Sequence, residues 1–399
     1  MSPLRLLTAG ESHGPKLTAI LEGMVAGVPV SVDALDRELA RRQVSFGAGG
    51  RMSIERDRVR ITAGVLAGRT TGAPIALEIV NLDYRAWADQ EIAAMTIPRP
   101  GHADLTAAVK YGYRDLRLGL ERASARETAA RVAAGALCKQ YLARFGIVVG
   151  SYVIAIGEVE AMLEDDFPYP ERLARAESND LRCPDPAAAE SMRQHIRQMM
   201  EEGDTVGGIF EVVALGVPPG LGSHVHFDRR LSGRLLGALA SIPAVKGVEV
   251  GSAFANARRR GTQVHDPILC DPEGHLRRAS NRAGGLEGGI TTGEPIVLRA
   301  AMKPISTTRT PLPSVDLATG RLAAPRYERS DVCAVPRAAV VGEAMVAWVL
   351  ADELLRKLGG DSLEEQLPRF AALRRSHLAD LPMDNGPWRF EYPGTDAEL

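Results

Sequence analysis

The sequence predicts an α+β protein in two similar halves, roughly residues 1–150 and 205–360, each closed by one long buried helix. Three observations predict it. Residues 120–146 (LERASARETAARVAAGALCKQYLARFG) and the stretch from Pro336 to about Leu358 both read as helices with small and apolar side chains on several faces. Such coverage suits a buried helix better than a surface helix with a single apolar stripe. Ahead of each helix run short apolar or alternating segments separated by Gly and Pro, the pattern of strands joined by turns. Both helices also open on a polar start carrying Arg and Ser, although no residue-level repeat joins the halves.

The 399 residues, 45% hydrophobic and 25% charged, have the composition of a soluble globular protein, and the length allows one to three domains. Lys+Arg 48 against Asp+Glu 50 leaves a net charge of −2, which argues against a nucleic-acid partner. Six of the basic residues are lysine, leaving 42 arginines, the residue whose planar fork grips phosphate and carboxylate. Cys138, Cys183, Cys270 and Cys333 contain no Cys-x-x-Cys pair, so neither a disulfide framework nor a zinc site is expected. The start, MSPLRLLTAGESHG, has no apolar core of signal-peptide length, and no apolar run reaches membrane-span length. A cytoplasmic enzyme without membrane contact is expected.

Residues 4–9 form a strand candidate running into Gly10-Glu11-Ser12-His13-Gly14, a glycine-bracketed loop holding a carboxylate, a hydroxyl and an imidazole. Residues 17–25 and 28–32 read as two strands, or one with a bulge at Gly27. Asp33 is placed to cap a helix over 33–43, with Arg41 and Arg42 in the last turn, where cations complement the dipole. Residues 46–52 are glycine-rich but lack the Gly-Lys-Ser/Thr of a P-loop. Residues 59–65 and 73–80 are strands, with turns at Gly68 and Gly72. The connector 81–97 leads to Pro98-Arg99-Pro100-Gly101-His102-Ala103-Asp104, whose prolines present His102 on a stiff support. In the helix over 120–146, Ser124 and Glu127 have capping-box spacing and Gly146 suits the C-terminal cap. Arg122, Arg126 and Arg131 near its start read either as an anion site or as solvent-facing arginines on a capped core helix.

Residues 147–156 form a strand, and 165–204 a polar, peripheral excursion that is helical around 187–202. A strand over 207–217, a helix over 231–240 and a strand over 245–251 follow. His224 and His226 have no third ligand in view, so no metal site is expected. Arg258, Arg259 and Arg260 enter a turn, and 262–282 reads as a surface loop. A second glycine-dense loop over 281–291 precedes a strand at 295–300. Lys303, Ser306, Thr307 and Thr308 then offer a cation and hydroxyls suited to a phosphate. Pro336 sits at the first turn of the second long helix, which stops at Gly359-Gly360. Residues 1–378 read as one catalytic domain and 379–399 as a mobile tail. From the residues alone, the chain handles phosphate or carboxylate ligands, with two imidazoles and a carboxylate for proton transfer.

Six stretches go further. GESHG (10–14), RPGHAD (99–104), RASARETAARVAAG (122–135), NRAGGLEGGIT (281–291), KPIST (303–307) and RSDVCAVP (329–336) resemble the signatures of the chorismate synthase family, in that family's order, within a match from about residue 4 to 365. The resemblance implies helices sandwiched between two antiparallel four-stranded sheets in pseudo-twofold halves, assembled as a homotetramer. It implies conversion of 5-enolpyruvylshikimate 3-phosphate to chorismate and phosphate by anti-1,4-elimination, needing reduced FMN without net redox change. No reductase domain is evident, so an external flavin reductase is expected.

Carried over position by position, the resemblance implies that His13 is the general acid at the substrate phosphate, with Ser12 beside it. His102 would protonate or stabilise the reduced flavin anion. Asp331, beside flavin N5 and oriented with Arg329, would help remove the proton. Arg42, Arg51, Arg99, Arg131 and Arg329 would clamp the substrate's phosphate and carboxylates. Arg122, Ser124, Ala255, Asn256, Gly289, Lys303, Ser306, Thr307 and Arg329 would hold FMN. Two positions depart from the family pattern: Ala48 stands where an Arg is usual, and Ala253 where a Gly is common. Two other readings remain: a flavin-dependent oxidoreductase acting on a small anionic substrate, and a non-enzymatic anion-binding protein.

Overall fold

Alternation along the chain builds the first sheet. In β2 (Lys16–Glu22), Leu17, Ala19 and Leu21 are buried while the residues between them are not. A later strand (β4, Ile75–Val80) buries Ile75, Leu77 and Ile79 in the same way. With β1 (Arg5–Ala9) and β3 (Val59–Ala63) these strands form a four-stranded antiparallel sheet in the order β1-β2-β4-β3, with Leu17 opposite Ile79. The computed structural model describes residues 4–48, 56–164, 166–328 and 330–388.

Between β2 and β3 lies α1 (Val32–Gln43). Its cap is Ser31, whose hydroxyl accepts from Ala34 N at 3.3 Å; Asp33, expected as the cap, lies in the first turn. Residues 28–32 do not form the expected strand, since Pro29 makes only an isolated bridge to Arg69.

The helix expected over 120–146 is broken. After α2 (Asp104–Tyr111) comes α3 (Arg117–Ala123), then a 3-10 turn (Ala125–Glu127), and only then α4 (Thr128–Ala143). Ser124 is extended, with ψ 141°, and its hydroxyl accepts from Arg126 N rather than Glu127 N. The reciprocal half of the expected capping box is absent because the Glu127 carboxylate is drawn to Thr8 Oγ1 (2.7 Å) and Arg131 Nε (2.9 Å). Long-range partners outcompete the local cap.

The second sheet comprises β5 (Val148–Ile156), β6 (Val159–Glu160), β7 (Gly208–Leu215), β8 (Val245–Val250) and β9 (Ile296–Met302), antiparallel in the order β8-β9-β7-β5-β6. It has five strands where four were expected, because the chain doubles back after Ile156 and adds the two-residue β6 at one edge. β5 is buried almost without interruption. Its Gly150 and Tyr152 meet α5 (Tyr169–Glu177), while Ser151 bonds to α8 (Val335–Leu358) on the other side. A strand covered on both faces loses polar/apolar alternation. The segment expected to be peripheral therefore covers a sheet face, through α5, and continues in α6 (Pro186–Glu202), capped by Asp185. Residues 262–282 also carry a short hairpin, Ile268–Cys270 with Leu276–Arg278, where a plain loop was expected.

With α7 (Leu231–Ala240) between β7 and β8, the two halves share one topology. Each runs strand, strand, helix, strand, strand, long helix, and β1-β2-β4-β3 matches β5-β7-β9-β8 in neighbour order. The second half starts at β5, earlier than expected, with α5 and α6 inserted after it.

α4 contacts the first sheet through β1, β2 and β4; α8 contacts the second through β5 and β7; the two helices pack on each other. Their crossing depends on Gly135, where an added Cβ would collide with the backbone and side chain of Ala344. Gly135→Ala is therefore expected to cost about 1–3 kcal/mol by overpacking, despite alanine's better helix propensity. Denaturant unfolding checks this, and an unchanged midpoint would show that the helices can part freely. Among the described residues, no helix is long and apolar enough to cross a membrane.

Candidate active site

The loop between β1 and β2 turns at Gly10, whose φ of +110° and closeness to Lys16 O leave no space for a side chain. Asn81 Nδ2 fastens this loop by donating to the carbonyls of Glu11 (3.1 Å), Ser12 (3.4 Å) and Gly14 (2.7 Å). Ser12 is buried and donates from its backbone N to Glu121 O at 3.0 Å. The Glu121 carboxylate accepts from His13 N at 2.7 Å and lies 2.7 Å from His13 Nδ1. The imidazole packs on Trp87, with ring centroids 4.4 Å apart.

From Asn81 the contacts run inward. Its Oδ1 accepts from Arg126 Nε at 2.9 Å, and Arg126 Nη1 donates to both oxygens of Asp57 at 2.7 Å. Arg42 Nη1 lies 3.5 Å from Asp57. Arg42 also donates to Thr128 Oγ1 (3.0 Å) and Ala125 O (2.9 Å), but its Nη1 is buried without a hydrogen bond among the described residues. Burial, then Arg337 and Arg126, push the Arg42 guanidinium down to about 9, against Asp57 and Asp331. Arg337 donates from Nε to Arg42 O at 3.0 Å and pairs with Asp331 through Nη1. Among the described residues the cluster sets three guanidiniums, Arg42, Arg126 and Arg337, against two carboxylates, Asp57 and Asp331. The excess positive charge suits an anionic ligand.

A second group adjoins the first, because Ser330 Oγ, next to Asp331, donates to Thr307 O at 3.1 Å. Thr307 Oγ1 accepts from Arg99 Nη1 at 3.4 Å. Arg99 is buried and donates through Nε (2.8 Å) and Nη2 (3.0 Å) to Asp104. His102 Nδ1 lies 2.6 Å from Asp104 Oδ1 and 3.0 Å from Arg99 Nη2. Only the carboxylate can accept there, so Nδ1 carries the proton and Arg99 is a mere neighbour. Burial raises the Asp104 carboxyl, but His102 and Arg99 outweigh it and hold the group well below the usual carboxylate range. Gly101, at φ +77°, brings its carbonyl to Ser306 Oγ, which donates to it at 2.8 Å, while Lys303 Nζ donates to Ser306 Oγ at 3.1 Å. Burial and the neighbouring Lys246 lower the Lys303 ammonium, and among the described residues no carboxylate pairs with it. An ammonium beside hydroxyls and without a counterion suits a phosphate group.

The remaining expected residues fall in several places. Arg122 donates to Thr8 O (2.9 Å), Thr8 Oγ1 (2.8 Å) and Gly10 O (3.2 Å), beside the His13 loop. Ser124 caps the short turn before α4. Arg131 bonds to Glu127 and to Ser241 Oγ at 2.9 Å, close to Ala244, whose carbonyl accepts from Lys303 N. Ala255, Asn256 and Gly289 are not joined to these groups by any hydrogen bond among the described residues. Asn256 donates to Arg282 O, and Gly289 O accepts from Leu231 N. Ala255 and Asn256 lie beyond the end of β8 remote from Ala244, while Gly289 lies against Arg230. Arg51 and Arg329 lie outside the described residues, and the Asp331 carboxylate pairs with Arg337. Ala48 follows Gly47, whose carbonyl accepts from Val332 N at 2.9 Å, so it stands next to the Asp331 segment.

Sequence reading did not single out Asn81, Glu121, Trp87, Asp57 or Arg337. Asn81 and Asp57 sit in connecting segments without a local signature, and Glu121 resembles any solvated carboxylate on a short helix. Asp104 alone carried a signal, two residues after His102 in RPGHAD. Together the groups can bind a ligand with several negative charges and offer it two carboxylate-backed imidazoles and one arginine-paired carboxylate.

Comparison with known proteins accords with this chemistry. The family model described as chorismate synthase matches residues 4–355. The chorismate synthase of Symbiobacterium thermophilum is 54% identical over 381 residues, covering 92% of this chain and 97% of that one. That of Aquifex aeolicus is 53% identical over 384 residues, covering 92% and 96%. A solved structure described as a crystal structure of chorismate synthase superposes with a TM-score of 0.76 at 47% identity, covering 92% of this chain and 96% of that one. Family-wide matching over nearly the whole length, at half identity and with the same fold, settles membership: the chain belongs to the chorismate synthase family and is, with it, an enzyme of the carbon–oxygen lyase class.

Proposed function

We propose that this chain converts 5-enolpyruvylshikimate 3-phosphate to chorismate and phosphate by anti-1,4-elimination, with reduced FMN bound and no net redox change. The observation that carries the reading is the continuity of the two groups: the Arg42–Arg126–Arg337 cluster runs through Asp331 and Ser330 to Thr307, Arg99, Asp104 and His102. Lys303, Ser306 and Thr307 fit a flavin phosphate, because Lys303 has no carboxylate counterion among the described residues and lies beside a second lysine. Arg122, Ser124, Ala255, Asn256, Gly289 and Arg329 complete the proposed flavin set. When bound, the reduced flavin supplies electron density that assists phosphate departure and is recovered as the hydrogen leaves.

The chain's own residues do the rest. Arg42, Arg51, Arg99, Arg131 and Arg329, with Ser12, bind and orient the substrate's phosphate and carboxylates. As the carbon–oxygen bond breaks, His13 gives a proton to the departing phosphate. As the ring carbon–hydrogen bond breaks, its electron pair enters the new double bond and Asp331, paired with Arg337, takes the proton. His102, backed by Asp104, holds a proton for the anionic reduced flavin. The reading includes the sandwiched, pseudo-twofold family architecture, a homotetramer, a cytoplasmic location and an external flavin reductase.

Anaerobic turnover with and without reduced FMN tests it. Phosphate and chorismate should appear together, only with reduced flavin, and without stoichiometric NADPH consumption. Consumption of one NADPH per product would instead indicate an oxidoreductase, and no release of phosphate would overturn the proposal.

A further inference from the structure

One carboxylate holds His13 at two points. Glu121 Oε2 accepts from His13 N at 2.7 Å, and Oε1 stands 2.7 Å from Nδ1. The two side chains are 14% and 18% exposed. Trp87 packs against the ring, and its Nε1 donates to Asp83 at 3.2 Å. Unlike Asp104, which Arg99 shares with His102, Glu121 forms no ion pair with an arginine or lysine among the described residues. Burial opposes ionisation of Glu121, but its hydrogen bonds to His13 outweigh that and lower its pKa. The group is therefore an ionised carboxylate that can only accept.

An acceptor-only neighbour decides which imidazole nitrogen carries hydrogen. Nδ1 must be N–H, which makes Nε2 the nitrogen that exchanges a proton with a ligand. The same division of labour operates in a Ser-His-Asp triad, where replacing Asp with Asn leaves the geometry but reverses the tautomer.

We infer that Glu121 is a positioning residue for His13, fixing its Nδ1–H tautomer and ring orientation so that Nε2 faces the departing phosphate. This rests on the reading of His13 as the acid of the elimination. In that step the Nε2–H bond of the imidazolium breaks, a phosphate O–H bond forms, and the imidazole returns to its neutral Nδ1–H form while Glu121 stays ionised.

Glu121→Gln tests the inference sharply. Two oxygens now accept from two donors, whereas a glutamine has one acceptor. The His13 backbone N–H cannot reverse, so it takes the amide oxygen and the amide NH2 turns to Nδ1, forcing the Nε2–H tautomer. In the full-length protein labelled with 15N-histidine, the wild type should show His13 as Nδ1–H and Glu121→Gln should show Nε2–H. In anaerobic turnover with reduced FMN, kcat should fall by about 10²–10³-fold, within the range for general acid catalysis, while KM stays within a few fold. Glu121→Asp keeps two acceptors and should keep Nδ1–H with a smaller loss of kcat; it serves as the second variant if the first does not fold. An unchanged tautomer in Glu121→Gln, a reversed tautomer with unchanged kcat, or loss of Nδ1–H in Glu121→Asp overturns the inference. Full activity of His13→Ala would instead overturn the role of His13 and leave the tautomer result standing.

Discussion

Asp331→Asn is expected to lower kcat by about 10²–10⁴-fold, the range of a lost general base, with little change in stability. The side chain is 16% exposed and pairs with Arg337, which also holds the carbonyl of Arg42. Asparagine has nearly the same shape and can still accept from Arg337, so the arginine cluster should stay assembled and KM should change little. What disappears is the basic oxygen that receives the ring proton. Because the asparagine amide oxygen keeps an acceptor in place for Arg337, the melting curve should move little. Single-turnover phosphate release under anaerobic conditions is the measurement, and a rate near that of the wild type would remove Asp331 from the mechanism.

Glu343→Ala should have the largest effect on folding. Glu343 lies fully buried in α8 and accepts from Arg41 on α1 (2.8 Å), Arg182 after α5 (3.0 Å) and Ser151 on β5 (2.6 Å), with Lys139 on α4 also bonded. One carboxylate thus joins both long helices to the second sheet. Among the described residues, its removal leaves Arg41, Arg182 and Lys139 with only Glu38 and Glu177 as counterions. Breaking one side of a buried ion cluster costs about 3–5 kcal/mol, a large share of a typical folding free energy.

Acid unfolding should show the same group. Burial raises the Glu343 carboxyl, but Lys139, Arg41 and Arg182 outweigh it and hold it well below its ordinary 4.5. A carboxyl depressed in the folded state contributes stability that is fully present above its unfolded value and is lost as pH falls through the folded value. The wild type should therefore lose stability steeply below about pH 4, and Glu343→Ala should lose up to about 1.4 kcal/mol less per pH unit there. Urea unfolding across pH 2–7 measures both quantities. A loss under about 1 kcal/mol with an unchanged slope would show the cluster to be balanced without Glu343.

Much of the scaffold was readable because its causes are local. Ile75, Leu77 and Ile79 alternate within six residues of one strand, and Pro336 and Gly359 bracket α8 at its two ends. Cap chemistry was less dependable. Ser124 and Glu127 have the right spacing, but Glu127 found better partners in Thr8 and Arg131, so the long helix begins at Thr128. The five-strand count of the second sheet and the covering role of α5 depended on where β5 came to lie.

The sequence by itself determined the two long buried helices, the strand-rich halves, the glycine-bracketed loops with His13 and His102, and the family to which their motifs point. Those features rest on neighbours a few residues apart, where periodicity, turn geometry and motif order are written directly in the chain. Only the tertiary structure decided that Glu121 holds His13, that Asp57 joins Arg126 to Arg42, and that Arg337 pairs with Asp331 beside the Thr307–Arg99 group. Most of these pairs join residues far apart in the chain. Their electrostatics depend on a low-dielectric interior that exists only after the sheets and helices have packed.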